Sequence, residues 1–216
     1  MRFFFFALLV SFALAFSECG SSGKPQAFCD TVCIKDTLKY TGNHSLKPYV
    51  WLTAKDCKID SLVWSYYGMG SNQKVKLSTF MNTELNLNKD YIRCVITDTS
   101  SAWLIFNDCN TTHGYLLKLR FNKADKILRK NRALNNFDKK FSVADDIVAY
   151  TDGGNVFIEQ IPTGKTASMT FGQPLDIDYD IIHNAIDSIN ITSTRIWAKV
   201  KIGNDWKEIE KKISLE

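Results

Sequence analysis

Three aspartates at alternate positions stand out in Leu175-Asp176-Ile177-Asp178-Tyr179-Asp180-Ile181. Carboxylates gathered in this way are hard oxygen ligands, which makes Asp176, Asp178 and Asp180 weak candidates for a calcium site. A calcium loop would also need a turning glycine and a glutamate at the twelfth position; Asp187 stands there instead. The same alternation suits an exposed strand or turn, with charge on the solvent face blocking edge-to-edge association. That reading takes precedence, and no metal or other cofactor is expected.

The second chemistry-bearing stretch is basic. Between Lys118 and Lys140 lie nine Lys and Arg residues against Asp125 and Asp138, a local balance of +7. The chain before it is +2 and the chain after it −5, so the total of +4 is unevenly spread. Lys126, Arg129, Lys130 and Arg132 are the candidate contacts to a polyanion or an anionic surface. The stretch carries Phe121 and Phe137 but no dense aromatic interleaving, and nucleic acid is not the expected partner. A solvated basic loop is the plainer reading.

Catalytic signatures are scarce. The histidines are His44, His113 and His183, the first two in turn-rich segments and the third after the acidic series. Gly-x-Ser-x-Gly, His-Glu-x-x-His and phosphate-cradling glycine loops are absent from the sequence. Paired carboxylates acting on a glycan have no set sequence spacing and so leave no motif. Among the five tryptophans, Trp51 and Trp206 lie beside turns and are the best candidates for exposure. Trp64, Trp103 and Trp197 sit in strand-like runs and are expected in packing.

The first fifteen residues have the layout of a secretory signal peptide. Arg2 supplies a charge, Phe3 to Leu14 is apolar except for Ser11, and Ala13-Leu14-Ala15 is a small-x-small cleavage site. Cys19, followed by Gly20-Ser21-Ser22-Gly23, leaves open a lipoprotein anchored through that cysteine. Secretion, or a periplasmic or cell-surface location, is the expectation. No later apolar run reaches the roughly 20 residues of a spanning helix.

Cys19, Cys29, Cys33, Cys57, Cys94 and Cys109 are the disulfide candidates, since an even cysteine count in an exported chain points to bridges. Six cysteines allow many connectivities, and spacing does not select one. All six lie in the first half, so bridges would staple that half and leave the rest to packing. Cys29-x-x-x-Cys33 is a poor metal motif, with no histidine or second cysteine pair nearby at zinc spacing.

These residues need a scaffold, and the scaffold reads as strands. After a cysteine-bearing lead-in at residues 16–40, the rest, 41–216, reads as one all-β domain. Short β-rich runs alternate with turn residues. In Arg195 to Ile202, Ile196, Ala198, Val200 and Ile202 alternate with Arg195, Lys199 and Lys201, the period of a strand with one buried face. Asp152-Gly153-Gly154 and Gly203-Asn204 supply the positive φ of tight hairpins. Lys123 to Leu134 reads as a loop or short helix. About twelve strands are expected.

Asp146 to Phe171 runs strand, Thr-Asp-Gly-Gly turn, strand, Thr-Gly-Lys turn, strand, and Ser188 to Ile213 is a less regular copy. This rhythm resembles the blades of WD40-type β-propellers, although the Gly-His and Trp-Asp signatures of that family are missing. The chain as a whole looks like an exported bacterial protein, a resemblance that brings no activity with it. The resemblance implies propeller-like or repeated-meander antiparallel sheets, with a β-sandwich or barrel as the alternative. Twelve strands would make three blades, fewer than a closed propeller usually has. The expected function is a non-catalytic binding or structural module of the cell envelope or extracellular space, with a protein or glycan partner or an anionic surface. The alternative is a secreted glycan-acting hydrolase using paired carboxylates.

Overall fold

The computed structural model describes residues 28–111, 113–122, 126–171 and 185–216. The signal-like segment, Cys19, the calcium candidates Asp176, Asp178 and Asp180, and His183 lie outside the described residues.

The protein is all-β. The described residues form four sheets of four strands each. The first comprises β1 (Leu38–Thr41), β2 (Tyr49–Lys55), β3 (Lys58–Ser65) and β4 (Gln73–Lys76), in that spatial order, followed by a short helix α1 (Leu77–Met81). The second is again a plain meander: β5 (Ile92–Ile96), β6 (Ser101–Asn107), β7 (Gly114–Arg120) and β8 (Ile127–Asn131). The third and fourth interlock in sequence. The third is ordered β9 (Ala133–Leu134), β11 (Ile147–Asp152), β12 (Asn155–Gln160), β13 (Thr166–Met169). The fourth runs β10 (Phe141–Val143), β14 (Ile186–Ile191), β15 (Arg195–Ile202), β16 (Asp205–Lys212). Pairing is antiparallel except between β10 and β14.

Core side chains join consecutive sheets. Leu52, Leu62 and Trp64 of the first pack against Leu104, Phe106 and Leu117 of the second. Trp103, Ile105 and Leu116 of the second meet Ala133 and Val148 of the third. Ala149, Val156 and Ile158 of the third meet Ile189, Ile196 and Ala198 of the fourth. The second sheet is therefore covered on both faces. This explains why Trp103-Leu104-Ile105-Phe106 is continuously apolar rather than alternating: each of the four is buried. Burying a side chain of this size contributes about 1.5–3 kcal/mol. In β15 the expected alternation holds, with Ile196, Ala198 and Val200 fully buried. The Gly153-Gly154 turn closes the β11–β12 hairpin with both residues at positive φ, 53° and 78°.

Several local expectations change. Lys123 to Leu134 contains strands β8 and β9 rather than a loop or short helix. Strand β8 is an edge strand with one polar flank, so its apolar residues are too few to show a strand period. Val143 to Thr151 is not one strand: β10 and β11 belong to different sheets. The described residues hold sixteen strands, not about twelve. Four of the additional ones are the short β1, β9 and β10 and the β2 strand that precedes an unmarked turn. That turn, Asp56-Cys57, has both residues in the left-handed region, at φ 51° and 65°, without a glycine.

Two disulfides, Cys29–Cys109 and Cys33–Cys57, tie the segment before β1 to the ends of the first two sheets. Ile34, between them, is buried in the core of those sheets. Cys94 is a free thiol.

Candidate functional site

The basic stretch turns a corner at the seam between the second and third sheets. β8 is the edge of the second sheet, and its side chains alternate in direction. Ile127 packs toward the first sheet. Arg129 points the same way, and its guanidinium donates to the carbonyls of Phe80 and Met81 at 3.2 and 3.0 Å, at the end of α1. Lys130 faces the third sheet, its ammonium 4.6 Å from the centre of the Tyr150 ring. Arg132 then adopts a left-handed φ of 63° and passes the chain into β9. Its carbonyl accepts from the Thr151 amide at 3.1 Å, which pins the corner to β11.

This corner frames a cleft of about 400 Å³. Arg129, Lys130 and Arg132 contribute three cations to its lining, against one carboxylate, Asp152. His113 and Tyr115, on the β7 side of β8, also line it. Burial pushes the Tyr115 phenol above its ordinary range; the Asp108 carboxylate adds to this and Arg129 works against it. Thr151 also lines the cleft, and its buried hydroxyl has no hydrogen-bond partner among the described residues. Such an uncompensated hydroxyl costs about 1–3 kcal/mol.

The surroundings hold the corner rigid. Gly114, which opens β7, lies against the backbone of Ala133 in β9. Asn135 donates to the Asn107 side-chain oxygen at 2.7 Å, both residues buried. The buried Asp108 carboxylate accepts from the Asn86 amide and from the amide and hydroxyl of Thr111. That network shapes the loop carrying His113.

Of the four basic candidates, Arg129, Lys130 and Arg132 meet at this cleft. Lys126 is exposed and is not among the lining residues. Arg129 is also partly engaged as a clamp on α1. Sequence reasoning did not single out Tyr115, Tyr150 or Thr151, since each sits in an ordinary strand pattern. Among the tryptophans, Trp64 and Trp103 are buried, Trp51 and Trp197 are half-buried, and Trp206 is 46% exposed. None of the five lines the cleft. His44 is in an exposed turn, where its Nδ1 accepts from the Leu46 amide at 3.1 Å.

A second hollow, about 350 Å³, lies beside the β2–β3 turn and includes Asp56, Asp60 and Glu84. Asp60 accepts from the Ser61 hydroxyl at 2.6 Å, and Glu84 is paired with Lys58 at 3.1 Å. Two of its three carboxylates thus have structural partners. Among the described residues no three His, Cys, Asp or Glu side chains are grouped to hold a metal ion, and no helix is long and apolar enough to cross a membrane. Comparison with protein-family models, with curated proteins and with solved structures finds no match.

Proposed function

We propose that this chain is an exported, non-catalytic binding module whose cleft at the β8–β9 corner takes an anionic group. The carrying observation is a concave surface on which Lys130 and Arg132 lie together, with Arg129 and Tyr115 also in its lining. Hydrogen bonds from charged donors are roughly twice as strong as neutral ones, and a partly enclosed site weakens them less than open water does. Export is supported by the signal-like first fifteen residues and by the two bridges, which suit an oxidising compartment. The four four-stranded sheets, the first two of them plain meanders, support the blade-like reading of the hairpin rhythm.

The test is retention on immobilised heparin across a salt gradient. Replacing Lys130 and Arg132 with Gln together should lower the eluting salt concentration clearly, because screened charge contacts carry the interaction. Lys126→Gln should elute with the parent protein. Unchanged retention of the double variant would remove the cleft from the proposal.

A further inference from the structure

Tyr150 borders not one hollow but two. On its other flank lies a depression of about 590 Å³, lined by Phe157, Ser168, Lys211, Lys212 and Glu216. Its floor is a row of residues in register across the third sheet: Tyr150 pairs with Phe157, and Phe157 with Ser168. The Tyr150 and Phe157 rings are stacked, with centroids 5.4 Å apart and planes 16° from parallel. The far wall comes from the fourth sheet, where β16 ends. Lys211 donates to the Ser168 carbonyl at 3.0 Å, and the segment after it returns to β13, with the amide and carbonyl of Glu216 bonded to the carbonyl and amide of Thr166. The carboxylate of Glu159, also on the lining, is neutralised by Lys118 at 2.5 Å.

We propose that the two hollows act as one groove for an acidic polysaccharide chain. This rests on the cleft reading above and names its ligand class. Cations stand at both ends, with Lys130 and Arg132 at one and Lys211 and Lys212 at the other. Between them lies an apolar aromatic floor. Crossing from β9 to β13 covers three inter-strand spacings, roughly 14 Å, enough for more than one sugar ring. A chain of uronate or sulfated sugars alternates anionic groups with apolar ring faces and matches that sequence of surfaces. Single-stranded nucleic acid matches it less well: it needs successive aromatic platforms for successive bases, and the floor offers two rings already stacked on each other. An anionic membrane matches less well still, because the aromatic residues lie on the floor of a depression and do not project.

The experiment is calorimetric titration of the full chain with galacturonate dimer and octamer. A thymidine 15-mer and vesicles of three parts phosphatidylcholine to one part phosphatidylglycerol serve as competitors. The octamer should bind at least tenfold more tightly than the dimer. Lys211→Gln with Lys212→Gln should weaken the octamer about tenfold and leave the dimer unaffected, whereas Lys130→Gln with Arg132→Gln should weaken both. An octamer no tighter than the dimer, or indifferent to the Lys211 and Lys212 changes, overturns the groove and leaves the cleft standing. Failure of every anion to bind overturns both. Tighter binding of the thymidine oligomer or the vesicles than of the octamer overturns the ligand class. Matching thermal melts of parent and variants establish that each protein tested is folded.

Discussion

Gly114 abuts the carbonyl of Ala133 so closely that a Cβ built at position 114 would lie 2.4 Å from that oxygen. The contact sets how near β7 of the second sheet comes to β9 of the third, and so the width of the seam into which the cleft opens. The intruding atom would meet backbone, which cannot swing away as a flexible side chain can.

Gly114→Ala should therefore destabilise the protein by about 1–3 kcal/mol, the usual cost of overpacking, and weaken heparin retention at the same time. Urea unfolding followed by the heparin gradient checks both. A variant with unaltered stability would mean that the seam opens without strain.

The polar part of the same seam is Lys118 and Glu159, 2.5 Å apart with side chains 22% and 17% exposed, and Lys118 also lies over the Trp103 ring. Removing one partner strands the other charge in a half-enclosed site. Lys118→Met and Glu159→Gln should each cost about 1–3 kcal/mol, between the values for exposed and buried pairs. The double variant should cost less than the two added together. A double-mutant cycle with coupling below about 0.5 kcal/mol would count the pair as surface decoration.

Cys94 and Tyr40 predict a loss of stability at alkaline pH. Burial pushes the Cys94 thiol up to about 12 from its ordinary 9.0. Burial, with a smaller contribution from Cys94, pushes the Tyr40 phenol to about 12 from 10.0. Both folded-state values are raised, so the stabilisation is complete below the unfolded-state value and fades as pH climbs through the window from about 9 to about 12. There the unfolded chain has already released protons that the folded one retains. For Cys94 the slope approaches about 1.4 kcal/mol per pH unit; Tyr40, less enclosed, adds a smaller amount. Chemical denaturation at pH 8, 9.5 and 10.5 should show this decline, and Cys94→Ala should flatten most of it. In the folded protein at pH 8, Cys94 should resist alkylation that proceeds readily in urea.

Several elements of the fold were legible because local physics specified them. The Gly153-Gly154 turn needs positive φ at both residues, which glycine accepts freely, and β15 carries a period of two that only Trp197 breaks in its polar row. The Asp56-Cys57 turn was not legible. It places ordinary residues in the left-handed region, and β2 and β3 on either side of it pair over their length. β8 was hidden for a related reason: Ile127, Leu128, Arg129 and Lys130 show no period until the first and third sheets flank them and give each face its own neighbour. The basic site was half-legible. Clustering in sequence announced Arg129, Lys130 and Arg132, but nothing in it announced that Arg129 would clamp α1 or that Tyr150 would lie beneath Lys130.

The sequence by itself determined that this chain is all-β, that its cysteine bridges lie in the first half, and that its charge is concentrated in the middle. Those properties follow from residue type, neighbour spacing and turn chemistry, which act over a few residues. Only the tertiary structure decided that Cys29 pairs with Cys109 and Cys33 with Cys57, leaving Cys94 free. The same holds for the meeting of Lys130 with Tyr150 between the second and third sheets, and of Lys211 with the Ser168 carbonyl between the fourth and the third. Those relationships depend on how whole sheets stack. Stacking is set by the summed burial of many side chains distant in sequence, and no local pattern records it.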